Sequence, residues 1–270
     1  MLVLLATACT SAPYTNRSQL ILVSESFENS LGVDAYKDVL TKSKISHDPQ
    51  LVGVVHDVGE RIAKAADKST YHWEFNVIDD PKTANAFALP GGKIAVYTGL
   101  FPIAHDSAGL AAVLGHEIGH ALAHHAGERM SQNVAVQVLG TGLSVGLGGQ
   151  SPGTQSAIMQ AFGLGAQVGV LLPFSRTQEA EADHIGLILM AKAGYDPHAA
   201  LDLWQRFAKM EKQSPPEYLS THPNYNTREQ NIASWMSEAM GYYHADPSIR
   251  VQTLPEIGGS STPHAQAEPR

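Results

Sequence analysis

The chain has 270 residues, a formal net charge of −8 at pH 7 and a pI near 5.9, with 43% hydrophobic and 16% charged residues. These values are typical of one folded domain with extensions and exclude a largely disordered chain. An acidic chain without a cluster of lysines and arginines excludes nucleic acid as an expected partner. The single cysteine excludes an internal disulfide and a cysteine-based metal cage, so a metal site must use carboxylates and the 13 histidines.

The N-terminus has the pattern of a processed, lipid-modified leader. Apolar residues 1–5 lead into small residues, and Cys9 directly follows Leu5-Ala6-Thr7-Ala8. Bacterial lipoproteins carry a similar box before the cysteine that is acylated, and Thr10 in the next position favours the outer membrane. We therefore expect residues 1–30 to be a signal, a lipid anchor at Cys9 and a polar tether, and the protein to face the periplasm of a bacterial cell envelope. The alternative is an apolar N-terminus with a chance cysteine.

Apolar periodicity after the leader predicts a mostly helical chain with a small sheet, an α+β class. The tail from 245 to 270 is rich in proline, glycine and serine and is predicted to be disordered. The predicted elements in chain order are a helix over 34–68, a strand over 73–78, a strand, turn and strand over 86–97, a helix over 106–130, and helices over 177–194, 197–210 and 227–240.

Residues 133–173 are apolar, rich in glycine and almost uncharged, with a polar break at 148–153. Each half has a length that a membrane hairpin would need. The halves are only moderately apolar and contain several glutamines, which favours two packed helices over a membrane hairpin. The sequence leaves open whether this segment contacts a membrane, gates a cleft or fills the core.

The strongest chemical signal is His116-Glu117-Ile118-Gly119-His120, within the helix predicted over 106–130. Histidines four residues apart lie on one helical face, so both imidazoles can bind one Zn²⁺. Glu117 lies beside them, where it can accept a proton from a metal-bound water. The flanking residues are apolar on nearly all sides, and a buried helix does not carry two histidines and a glutamate without a use for them.

A third protein ligand is expected for a catalytic zinc. Ala123 and Ala126 exclude one pattern, in which a third histidine follows six residues after the second. In the next helix, Glu179 and Asp183 are four residues apart and share a face. Glu179 can bind zinc, and Asp183 can accept the outer N–H of a ligand histidine. The alternative is an acidic helix N-terminus favoured by the helix dipole, and Glu181 between them is expected to be solvated.

These motifs together resemble the HtpX / CAAX-prenyl-protease family of zinc metallopeptidases, a gluzincin group. The resemblance rests on H-E-x-x-H followed by S-R-x-x-E-x-x-x-D, on Asn85-Ala86-Phe87 with Pro90-Gly91-Gly92, and on Ser220-Thr221-His222-Pro223 with Arg228. It implies a zincin-like domain over 31–244 with a small sheet beside the active-site helix, and one Zn²⁺ held by His116, His120 and Glu179. The absence of clear transmembrane helices favours the lipid-anchored or periplasmic branch.

The resemblance also implies that His222 and Arg228 lie over the metal. There they would stabilise the oxyanion of the tetrahedral intermediate, or His222 would occupy the open zinc position and hold the enzyme inactive. A loop histidine before proline and a helix-capping arginine are the alternative interpretation.

The predicted function is zinc-dependent endopeptidase action on unfolded or misassembled cell-envelope proteins, with Glu117 as the general base. The strand near residues 85–89 is expected to pair with the substrate backbone. The first alternative is a chaperone-like module that binds envelope proteins and has a structural or latched zinc. The second is a zinc hydrolase acting on non-peptide substrates.

Overall fold

A computed structural model describes residues 9–146, 175–211, 216–222, 227–255 and 257. The predicted class, α+β and mostly helical with a small sheet, is confirmed. The strands are β1 (Cys9–Ser11), β2 (Ser18–Leu20), β3 (Glu74–Ile78), β4 (Ala86–Leu89) and β5 (Lys93–Tyr97). The helices are α1 (Glu25–Lys42), α2 (Pro49–Ala66), α3 (Phe101–Ala104), α4 (Ser107–Leu122), α5 (His125–Gly146), α6 (Arg176–Lys192), α7 (His198–Glu211), α8 (Tyr218–Thr221) and α9 (Arg228–Tyr242), and a 3-10 turn covers Thr98–Leu100.

The larger sheet lies beside α4 and has the strand order β3-β5-β4. Strand β5 runs parallel to β3 and antiparallel to β4, where Ala86 lies opposite Val96. Gly91 and Gly92 in the turn between β4 and β5 both have φ of +82°, a backbone conformation that favours glycine. Because β5 lies between β3 and β4, strand β4 is an edge of the sheet within the described residues, and it lies next to α4.

The centre of the fold is the contact between α4 and α6. Every residue of α4 is buried. A Cβ atom added to Gly115 would lie 2.8 Å from the backbone oxygen of Gly186, and one added to Gly119 would lie 2.8 Å from that of Ala182. The two helices thus approach backbone to backbone, which brings side chains on their facing surfaces within bonding distance of each other.

Local sequence signals define where both helices begin. The Asp106 side chain accepts hydrogen bonds from the backbone N–H groups of residues 108 and 109 at the start of α4. Ser175 and Gln178 form a capping box at the start of α6. These caps satisfy backbone donors that have no partner within the helix.

Two long predicted helices are each interrupted in the structure. The helix predicted over 34–68 is two helices, because Asp48 caps a new helix and Pro49 occupies its first turn. The helix predicted over 106–130 ends at Leu122, and His124 has φ of +51° before α5 begins. A positive φ is incompatible with a continuous right-handed helix.

The structure also differs from the polar tether expected over residues 10–30. Strands β1 and β2 form an antiparallel hairpin, followed by the start of α1, and Ala12 is buried against the core. Part of the expected tail is ordered as well, since the Leu254 N–H donates to His105 O at 3.0 Å and Leu254 is buried. Residues 258–270 lie outside the described residues.

Among the described residues, no helix combines the length and hydropathy that crossing a membrane requires. Helix α5 covers the first part of the apolar segment 133–173, and the rest of that segment, residues 147–173, lies outside the described residues.

Candidate metal centre

The centre is built on His116 and His120, one turn apart on α4. Their ring centroids are 4.6 Å apart and their Nε2 atoms are 3.0 Å apart. Both side chains are buried. Helix α4 alone therefore supplies two adjacent nitrogen donors.

Glu179 and His222 bring two more donors to the same point. The Glu179 carboxylate, in the first turn of α6, lies 3.5 Å from His116 Nε2 and 3.3 Å from His120 Nε2. His222 follows α8, and its Nδ1 lies 3.2 Å from His116 Nε2 and 3.1 Å from Glu179 Oε1. All four residues are buried and offer donor atoms within 4.8 Å of one another.

These distances fit a tetrahedral zinc ion. Zn²⁺ binds nitrogen and oxygen at about 2.0–2.1 Å, so two corners of its tetrahedron are about 3.3–3.4 Å apart. The five donor separations given above, which involve both oxygens of Glu179, range from 3.0 to 3.5 Å. His116, His120 and Glu179 fit three corners, and His222 Nδ1 lies at the fourth.

The protonation states also suit a cation. Burial lowers the pKa of His120 well below its ordinary value, which favours the neutral ring. Burial raises the pKa of the Glu179 carboxyl, but His222, His120 and Arg228 outweigh it and hold that pKa well below its usual range. His120 thus offers a neutral nitrogen donor and Glu179 an ionised oxygen donor. Burial lowers the pKa of His222, but the charges of Glu117 and Glu179 outweigh it and raise that pKa above its ordinary value.

Asp183 and Arg228 lie behind the donors. Asp183 Oδ1 lies 2.8 Å from His116 Nδ1, and the other ring nitrogen of His116, Nε2, faces the centre. The fully buried Arg228 guanidinium donates to Asp183 at 2.7 Å and to Glu179 at 3.0 Å, and it lies 3.3 Å over the Trp204 ring. Arg228 thus contacts the carboxylates behind the centre, which differs from the position over the metal that the resemblance implied.

Glu117 lies on the other side of the donors. Its Oε1 accepts the Tyr218 hydroxyl at 2.8 Å and lies 3.4 Å from His222 Nε2. Burial and the Glu117 charge raise the pKa of the Tyr218 hydroxyl well above its ordinary value, so this hydroxyl stays a donor. Tyr218 has no signal in the sequence, because α8 is a single turn of four residues.

His125 and Glu181 are two further residues of the site, in addition to the predicted ligands and Asp183. His125 Nδ1 lies 2.8 Å from His120 Nδ1, and His125 Nε2 lies 2.9 Å from Glu181 Oε2. The expectation that Glu181 is solvated is wrong, since it is only 4% exposed. On a continuous helix, His125 would point about 140° away from His120. The break at His124 removes that constraint, and nothing in the spacing predicts it.

Comparison with known proteins identifies the family. The model of peptidase family M48 matches residues 49–236, more than two thirds of the chain. The chain belongs to peptidase family M48. Members of this family are zinc metallopeptidases, in agreement with the donor set formed by His116, His120 and Glu179.

Three relatives illustrate the range of similarity. The chain is 40% identical over 235 residues to the mitochondrial metalloendopeptidase OMA1 of Schizosaccharomyces pombe, covering 84% of this chain and 66% of the relative. It is 32% identical over 251 residues to the OMA1 protein of Saccharomyces cerevisiae, covering 86% and 70%. It is 30% identical over 209 residues to the beta-barrel assembly-enhancing protease of Yersinia pestis, covering 74% and 42%.

These relatives correct the predicted location. The more similar ones are mitochondrial by name, and the bacterial relative is more distant. The prediction of a bacterial outer-membrane lipoprotein facing the periplasm is therefore wrong. It depended on the few residues before Cys9, and so short a processing motif carries little information. In the structure, Cys9 opens strand β1 and is paired with Leu20.

Proposed function

We propose that this chain is a zinc metalloendopeptidase that cleaves unfolded or misassembled polypeptides. The observation that carries the proposal is the buried cluster of His116, His120, Glu179 and His222, whose donor atoms lie within 4.8 Å of one another, next to the buried Glu117. Within family M48, we assign the chain to the HtpX / CAAX-prenyl-protease type, on the motifs that contribute this donor set.

The proposed mechanism divides the work among the buried residues. His116, His120 and Glu179 hold the zinc, which when bound acts as a Lewis acid and lowers the pKa of a water molecule. Glu117 accepts the proton of the attacking water and passes it to the leaving amine. Asp183 fixes the tautomer of His116, and hydrogen bonds from Arg228 hold Asp183 and Glu179 in place.

The edge of the sheet supports a polypeptide substrate. Strand β4 is an edge strand beside α4 within the described residues, and an extended peptide can add to a sheet edge through backbone hydrogen bonds. Backbone pairing tolerates many sequences but requires an extended chain, which favours unfolded proteins. The name of the Yersinia relative refers to β-barrel assembly. This name supports a finer proposal, which is that the substrates are envelope proteins that have failed to assemble.

The segment from 216 to 222 supports a closed resting state. His222 Nδ1 occupies the fourth corner of the donor tetrahedron, where a catalytic zinc needs an open position. The Tyr218 hydroxyl bonds Glu117, and the Tyr218 N–H donates to the backbone oxygen of Ala84 at 2.9 Å, two residues before β4 begins. The segment thus covers the metal, the base and the approach to the sheet edge, and it has to move before a peptide can bind. Because of this arrangement, the second candidate function is a chaperone-like binding module in which His222 blocks the zinc.

Cleavage of an unfolded protein such as casein tests the proposal. Glu117→Gln is expected to lower the rate at least about 100-fold while zinc stays bound, because only the base is lost. Glu217→Gln is the matched control, since it removes an exposed carboxylate from the covering segment. Wild-type rates in Glu117→Gln would contradict the proposed mechanism.

A second variant distinguishes the two candidates. His222→Ala removes the residue at the fourth corner and is expected to cleave faster than the wild type. If only this variant cleaves, the protein is a protease with a latch. If zinc is bound and neither form cleaves, the binding module is favoured.

A further inference from the structure

His120 has a hydrogen-bonded partner behind it, as His116 does, but the partner is a second histidine. His125 is fully buried at the start of α5. Its Nδ1 contacts His120 Nδ1 at 2.8 Å, and its Nε2 contacts Glu181 Oε2 at 2.9 Å. A row of hydrogen bonds therefore leads from the candidate ligand His120 through His125 to a buried carboxylate.

The direction of the protons in this row is fixed by its ends. An ionised Glu181 carboxylate can only accept, so His125 Nε2 carries a proton. The other nitrogen of a neutral imidazole is an acceptor, so His125 Nδ1 accepts from His120 Nδ1. His120 then has a bare Nε2, which is the atom that faces His116 and Glu179. The row selects the one tautomer of His120 that can bind zinc through Nε2.

The N-terminal hairpin holds the carboxylate at the end of the row. Arg17, between β1 and β2, donates to Glu181 Oε2 through Nε at 2.8 Å, and its Nη1 and Nη2 donate to the two oxygens of Glu128 at 2.7 and 2.8 Å. The Thr15 hydroxyl donates to the other Glu181 oxygen. Each oxygen of Glu181 is thereby bonded by a hairpin residue, Oε2 by Arg17 and Oε1 by Thr15. Residues of the hairpin thus set the orientation of Glu181.

The same device supports both histidines of α4. His116 bonds the carboxylate of Asp183, which Arg228 holds from α9. His120 reaches its carboxylate through His125, and Arg17 holds that carboxylate from the other end of the described chain. Each ligand is therefore backed by a carboxylate and an arginine from a distant part of the sequence.

We propose that His125, Glu181 and Arg17 are positioning residues for the metal centre. Through these residues, the hairpin of residues 9–20 contributes to zinc binding. The inference rests on the proposed zinc-binding role of His120. It predicts that changes in the hairpin alter zinc affinity although no hairpin residue is a ligand. Partners of this kind typically contribute 10- to 100-fold to metal affinity.

The test is the zinc dissociation constant of the purified full chain, measured by competition with a fluorescent chelator. His125→Leu removes both hydrogen bonds and is expected to weaken zinc binding about 10- to 100-fold. His125→Gln keeps an acceptor and a donor on one planar group and is expected to restore most of the affinity. Glu28→Gln is the control, because Glu28 is equally buried and bonds His124 and the Gly127 N–H, but not a candidate ligand.

A double substitution tests whether Arg17 acts through His125. Arg17→Met alone is expected to weaken zinc binding several-fold, and to have no further effect when His125→Leu is already present. If Arg17→Met does not fold, Glu181→Gln, which keeps the shape of the side chain, takes its place with the same expected result. If the two losses of zinc affinity multiplied in the double variant, Arg17 would not act through His125, and the inference would be overturned.

The outcomes separate this inference from the proposed function. A folded His125→Leu protein that binds zinc as tightly as the wild type, even with a lower melting temperature, would mean that the network is structural and would overturn the inference alone. A wild-type chain that binds no zinc would overturn the inference and the proposed function together.

Discussion

Replacement of Arg228 by methionine gives the most informative stability experiment. The side chain is fully buried and donates at 3.0 Å to Glu179 and at 2.7 Å to Asp183. Arg228→Met keeps an unbranched chain of similar length but leaves two buried carboxylates without their shared cation. Removal of one partner from a buried ion pair costs about 3–5 kcal/mol in free energy of unfolding. Since 1 kcal/mol shifts the melting temperature of a domain of this size by about 2–4 °C, the expected loss is about 6–20 °C.

The melting curve should be followed by circular dichroism, in chelator and in excess zinc. Zinc offsets the charge of Glu179 but not that of Asp183, so we expect the metal to reduce the loss to roughly half. Arg61→Met is the control, because Arg61 is partly exposed and its contacts to Asp57 and Asp246 are 3.4 and 3.5 Å long. Such surface pairs contribute at most about 1 kcal/mol. The reasoning would be refuted if Arg228→Met had the same melting temperature as the wild type in chelator. It would also be refuted if its loss of melting temperature were as large with zinc as without it.

Two further predictions concern the fold around the centre. Gly115→Ala should lower the free energy of unfolding by about 1–3 kcal/mol in urea denaturation, because its Cβ would meet the Gly186 backbone, and an unchanged value would mean that α4 and α6 separate freely. Arg17 lowers the pKa of Glu128 although burial raises it, so this carboxylate stabilises the fold above its ordinary pKa near 4.5 and loses that effect as the pH falls through the lowered value. Glu128→Gln should therefore be less stable at pH 7 and approach the wild type in acid, whereas a difference independent of pH would contradict this assignment.

The sequence was most informative where chemistry depends on spacing within one helix. The i, i+4 spacing places His116 beside His120 and Glu179 beside Asp183, and the structure brings these pairs together across the contact of α4 and α6. The spacing predicts which side chains share a face, because the rotation per residue in a helix is fixed. It does not predict that two glycines let the helices approach closely enough to form one centre.

The unexpected features depend on interruptions and long-range contacts. The break at His124 allows His125 to face His120, and a hairpin interpreted as a tether buries Glu181. A local pattern cannot reveal these contacts, because Arg17 and Glu181 are 164 residues apart. Arg228 was placed over the metal by resemblance, whereas its position is set by the carboxylates that its charge compensates.

The central claim is that His116, His120 and Glu179 hold a zinc ion, and that Glu117 acts as the general base beside it. The most direct test is zinc content per chain by mass spectrometry for the wild type, Glu179→Gln and Glu117→Gln. We predict one zinc in the wild type and in Glu117→Gln, and loss of most of it in Glu179→Gln, because Glu179 is the one of these two carboxylates that is a ligand. Full zinc content in Glu179→Gln, or loss of zinc in Glu117→Gln, would contradict this assignment of the two carboxylates.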